Sequence, residues 1–142
     1  YLHPAGFDLL LQDIKELLEA FADISQETDF SIYWAIVENG MCRRFHTDAN
    51  TFRLLCTYAG PGTQWVKPEN INQDRAHCPG NEMIIDMQKI EQTKPFEVVI
   101  LKGALQKHCS QPLLHRSPPL DNEGEKRLLL RIDISENKSE FA

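Results

Sequence analysis

The 142-residue sequence is poor in cysteine, with four residues (Cys42, Cys56, Cys78 and Cys109) and no C-x-x-C pair among them. So sparse a set excludes a disulfide scaffold, and reduced thiols in a cytoplasmic setting are expected. Long hydrophobic runs are missing too. No stretch approaches the ~20 apolar residues of a membrane-spanning helix, and the start Tyr1-Leu2-His3-Pro4-Ala5-Gly6 has no basic region leading into an apolar one. These features predict a soluble, non-secreted protein. An excess of positive charge is also absent: 15 Lys+Arg against 21 Asp+Glu leave a net charge of −6. Such a surface repels phosphate backbones and anionic lipid, so neither nucleic acid nor a membrane is expected as the partner. The phosphate-loop pattern G-x-x-x-x-G-K-[ST] and the nucleophile elbow G-x-S-x-G do not occur. No internal repeat or low-complexity tract marks a second domain.

What is present fits one core. At 42% hydrophobic and 25% charged the composition is globular, and the length suits a single domain over residues 1–142. In the first 25 residues Phe7, Leu10, Leu11, Ile14, Leu17, Leu18, Phe21 and Ile24 recur at intervals of three and four. That spacing predicts an amphipathic helix packing one face on a sheet, with Asp13, Lys15, Glu16, Glu19 and Asp23 on the wet side. From residue 31 the texture changes to short runs rich in β-branched and aromatic residues. Strands are expected at Ser31–Glu38, Arg53–Tyr58, Thr63–Val66, Phe96–Leu101, Pro112–His115 and Arg127–Ile134. Asn39-Gly40 and Gly60-Pro61-Gly62 read as turns. Met83–Ile90 is too short for periodicity to decide between helix and strand. A mainly β protein, a sandwich or barrel with a flanking N-terminal helix, follows from this list.

Three side chains suggest chemistry. His46 and Asp48, two apart in Phe45-His46-Thr47-Asp48, project to the same side of an extended segment. His115, sixty-nine residues on and at the end of an apolar run, is the candidate third ligand. Two histidines and one carboxylate on one face of a metal, with other positions open, are the ligand set of non-haem Fe(II) oxygenases. Zn, Mn, Co and Ni suit the same donors. Strand alternation places Arg127 and Arg131 together, and an interior arginine calls for an anion, for which a 2-oxoacid carboxylate is a natural candidate. The competing reading leaves both arginines in solvent or paired with Asp133 and Glu125. A second possible metal set, His77-Cys78 with His108-Cys109, has the donors of a tetrahedral zinc site but needs loops to converge. Trp65 either lines a pocket or plugs the core.

The stretches FHTDANTFRLLCTYAGPGTQWV, FEVVILKG, LLHRSPPL and RLLLRID, spanning Cys42 to Asp133, resemble an uncharacterised bacterial domain-of-unknown-function family that carries no established activity. More distantly, their order is similar to the 2-oxoglutarate and Fe(II)-dependent oxygenases of the prolyl hydroxylase type. That resemblance implies a double-stranded β-helix (jelly roll, cupin-like) at residues 31–134 behind the helical segment 1–25. It also implies Fe(II) held by His46, Asp48 and His115. It adds Arg53, Thr57 and Trp65 to the pocket and Tyr58, Arg127 and Arg131 to the groups binding 2-oxoglutarate. The twelve residues between His115 and Arg127 leave open which arginine holds the oxoacid. The implied activity is oxygenation of an unidentified primary substrate with 2-oxoglutarate as small-molecule cosubstrate. The alternative is the same jelly roll as a non-catalytic binding module, with or without a metal.

Overall fold

The apolar stripe of the first 25 residues forms α1 (Pro4–Ser25), and its inner residues, Ile14 and the fully buried Phe21, are the helix's contribution to the core. The computed structural model describes residues 4–38, 42–75, 80–106, 111–120 and 124–135. Among them α1 is followed by seven strands: β1 (Phe30–Val37), β2 (Phe52–Ala59), β3 (Gln64–Trp65), β4 (Glu91–Gln92), β5 (Val98–Lys102), β6 (His115–Arg116) and β7 (Arg127–Ile134). No described helix is long and apolar enough to cross a membrane.

The strands form two antiparallel sheets. The larger has the order β1-β7-β2-β5 and the smaller β4-β3-β6. A reciprocal pair of backbone bonds continues the smaller sheet beyond β6: His46 N–H donates to the His115 carbonyl (2.9 Å) and His115 N–H to the His46 carbonyl (3.0 Å).

Alternation divides the larger sheet into two faces with different tasks. Leu54, Cys56 and Tyr58 of β2 and Leu130 and Ile132 of β7 pack with Ile14 and Phe21 under α1. The opposite face carries Leu55 and Leu129, which pack with Val37 and Leu101. Arg53 and Thr57 of β2, and Arg127, Arg131 and Asp133 of β7, share that second face by the same period of two. A third cluster, Phe45, Val66, Ile84 and Leu114, stabilises the smaller sheet. Burying each of these large side chains contributes roughly 1.5–3 kcal/mol.

Several predicted boundaries move. Phe96 leaves the predicted strand because it adopts φ 67° in the turn before β5, with its N–H bonded to the Thr57 carbonyl (2.8 Å). Only His115 of the Pro112–His115 run is in β6. Met83–Ile90 is neither one helix nor one strand: 3-10 turns at Gly80–Met83 and Met87–Lys89 flank a bridge between Ile71 and Ile84. The histidine–cysteine pairs at 77–78 and 108–109 lie outside the described residues.

Candidate metal centre

His46 and His115 meet because the backbone pair between them sets the two residues directly opposite each other. Directly opposed residues of antiparallel chains place their side chains on the same face, and the imidazole centroids are 4.5 Å apart. Each ring is oriented from behind. His46 Nδ1 lies 2.9 Å from the Arg44 carbonyl and His115 Nδ1 lies 3.0 Å from the Leu113 carbonyl. A carbonyl only accepts, so Nδ1 of a neutral ring must carry the proton, and both Nε2 lone pairs are left for a ligand.

Asp48 completes the group from the loop after His46. That loop is pinned by Ala104 N–H to the Asp48 carbonyl (2.8 Å) and Gly103 N–H to the Thr51 carbonyl (3.0 Å). Gly103 has to be small here, since a Cβ would sit 2.1 Å from the Asn50 carbonyl oxygen. Asp48 Oδ1 is 3.7 Å from His46 Nε2, and Oδ2 is 3.6 Å from His115 Nε2. Ligand atoms of the three residues all lie within 4.8 Å of one another. Adjacent ligands of a bound ion stand about 3 Å apart for bonds of about 2.1 Å, so a small contraction would close the triad on a cation. The donor set therefore fits a divalent metal. His115 is 4% exposed, and burial pulls its imidazole below the usual range, against the opposing influences of the Leu113 carbonyl and Asp48. A neutral imidazole is the form that binds metal.

The two imidazoles of the triad line a cavity of about 70 Å³ bounded by both sheets, with Arg53, Leu55, Thr63, Arg127, Leu129 and Arg131 among its other walls. The two arginines of β7 differ sharply. Arg131 is on the rim, stacked 4.9 Å over the Tyr33 ring, with Nε 2.9 Å from Asp133 Oδ2. Arg127 is 2% exposed, and the hydrogen bonds of its Nη2 are to two hydroxyls, Thr57 Oγ1 (2.8 Å) and Thr63 Oγ1 (3.1 Å). Its Nε is buried without a partner, and no carboxylate among the described residues forms an ion pair with it. Burial alone pushes this guanidinium down to about 10. A buried positive charge that pairs with no carboxylate among the described residues, in a cavity it shares with other arginines, favours the entry of an anion.

Of the other predicted residues, Arg53 joins the site: its Nη1 donates to Asp48 Oδ2 (2.8 Å) and its Nε to Asp133 Oδ1 (2.5 Å). Burial opposes its charge, but Asp133 and Asp48 outweigh burial and hold it above its ordinary range. Thr57 also joins, through Arg127. Tyr58 does not. It faces the opposite side of β2, where its hydroxyl donates to Asp13 Oδ2 (2.5 Å), and burial with this bond pushes the phenol far up. Trp65 sits opposite His115 in register, half-buried, and is not among the cavity walls.

Sequence reasoning missed Thr63. Its signal was the preceding turn: Gly60 has φ 82°, and a Cβ there would meet the Lys126 carbonyl at 2.2 Å. The turn thus packs against the start of β7 and delivers Thr63 to Arg127.

No curated protein and no solved structure matches the chain. The family described as Protein of unknown function (DUF1826) matches residues 1–133, and the chain belongs to that family.

Proposed function

We propose that the protein is a non-haem Fe(II)- and 2-oxoglutarate-dependent oxygenase-like protein built on a double-stranded β-helix. The observation that carries this reading is the shared cavity: His46 and His115 of the His46–Asp48–His115 group line the same space as the buried Arg127, which pairs with no carboxylate among the described residues. A metal alone would need only the first, and an anion site alone only the second. A ligand carrying a metal-chelating end and a distant carboxylate uses both. The strand orders β1-β7-β2-β5 and β4-β3-β6 with His46 beyond, one chain crossing between the sheets at every step except β3 to β4, support the jelly-roll assignment.

In this reading His46, Asp48 and His115 hold Fe(II), which when bound supplies dioxygen chemistry coupled to oxidative decarboxylation of the oxoacid. Arg127 binds the far carboxylate of 2-oxoglutarate, and Thr57 and Thr63 hold its guanidinium in place. Leu55 and Leu129 exclude water beside it. The primary substrate enters past the half-buried rim formed by His46 and Arg131. The second reading, a metal-containing module without turnover, draws on the cavity's size, since about 70 Å³ accommodates only a few water-sized groups before the walls move.

The test is anaerobic calorimetry of Fe(II)-loaded protein with 2-oxoglutarate, followed by admission of oxygen and assay for succinate. Metal-dependent binding with succinate formation is expected. Binding without succinate selects the module, and an absence of both metal and oxoacid binding overturns the proposal.

A further inference from the structure

The arginine beside the metal group is held from two directions. Arg53 belongs to β2 and lies opposite Asp133 of β7 in register, so its anchor is part of the sheet. Its Nε donates to Asp133 Oδ1 while Nη1 reaches out to Oδ2 of Asp48, which stands on a loop. The other Asp133 oxygen faces Arg131, which is stacked on Tyr33. A planar guanidinium can serve two carboxylates along different edges at once; an ammonium on a flexible stem cannot do so with fixed geometry. The sheet thereby dictates which way a loop carboxylate turns.

We propose that Arg53 is the positioning residue of Asp48: it occupies Oδ2, offers Oδ1 as the single oxygen ligand, and biases the site toward ions that favour imidazole over larger, oxygen-seeking ones. The inference rests on the metal reading above. A carboxylate with both oxygens free can clasp an ion bidentately, the mode favoured by large hard cations. With one oxygen withheld, the two imidazoles dominate, and such a set suits Fe, Co and Zn better than Mn or Ca. Arg53 also places a positive charge near any bound cation, which weakens all divalent ions alike. The ratio of two divalent affinities cancels that charge effect and leaves the geometric one.

Co(II) and Mn(II) dissociation constants are to be measured for the wild type, Arg53→Gln, Arg53→Lys and Asp133→Asn, together with the visible spectrum of each Co(II) form. The expected result is a shift of the Co(II)/Mn(II) affinity ratio toward Mn(II) of about tenfold in Arg53→Gln, the scale at which groups supporting metal ligands act, with altered Co(II) bands. Asp133→Asn should shift the ratio in the same direction by less, because Arg53 keeps its charge but loses its anchor. Arg53→Lys should fall between wild type and Arg53→Gln. Wild-type ratio and spectrum in the folded variants overturn the role of Arg53. Failure of the wild type to bind either ion overturns the metal reading and this inference with it.

Discussion

Replacing Arg127 by methionine keeps an unbranched apolar stem and removes the guanidinium with its charge. Burial pushes the Arg127 guanidinium down to about 10 with the threonine bonds in place. At 1.36 kcal/mol per pH unit, the charged form bears an unmet cost on the order of 3 kcal/mol in the absence of an anion. Losing the two hydroxyl contacts offsets part of the gain from removing the charge, since each is worth about 1 kcal/mol or more. The ligand-free variant should therefore be at least as stable as the wild type in urea titrations. With a saturating divalent metal that does not turn over, 2-oxoglutarate at a hundred times its Kd should stabilise the wild type by about 2.7 kcal/mol. At roughly 3 °C per kcal/mol for a chain of this length, that is a rise of about 8 °C in Tm. Arg127→Met should show none of the oxoacid-dependent rise. A variant several kcal/mol less stable than a wild type that itself gains nothing from the oxoacid would refute this reasoning and make Arg127 a structural residue.

Other expectations separate the cavity from the side of the large sheet packed under α1. His115→Ala should lose stoichiometric metal, read by elemental analysis, while its far-ultraviolet dichroism stays native. Tyr58→Phe should cost about 1 kcal/mol through the lost bond to Asp13, yet leave oxoacid affinity unchanged because Tyr58 packs under α1. Burial raises the Cys56 thiol to about 11 whereas Cys42 is exposed. Peptide mapping after alkylation at pH 8 should thus find Cys42 modified and Cys56 protected, because the thiolate is the reacting form. Rapid labelling of Cys56 in folded protein would contradict the packing beneath α1.

The legible parts of the sequence were those with a strong period. The intervals of α1 predicted the face that Ile14 and Phe21 bury, although Phe7, Leu11 and Ile24 on the same stripe stay exposed, and the alternation of Arg127–Ile134 predicted that two arginines share a face. His46 and Asp48 were legible as a pair because two residues on an extended segment point the same way. Tyr58 shows the opposite: Thr57 and Tyr58 are neighbours on one strand, so a period of two forbids both from facing the cavity, and the resemblance had placed both there. The short strands of the smaller sheet were poorly defined because two-residue ladders such as Gln64–Trp65 and His115–Arg116 leave no alternation to read. Thr63 and the clamp from Asp133 through Arg53 to Asp48 depend on contacts eighty residues apart or set by a turn, which local pattern cannot reveal.

X-ray absorption spectroscopy of the Fe(II)-loaded protein tests the central claim most directly. The account predicts one iron per chain, with two imidazole nitrogens and one carboxylate oxygen at about 2.0–2.2 Å and the remaining positions filled by light, exchangeable ligands. Sulfur in the coordination shell, fewer than two imidazoles, or no tightly held metal would contradict it.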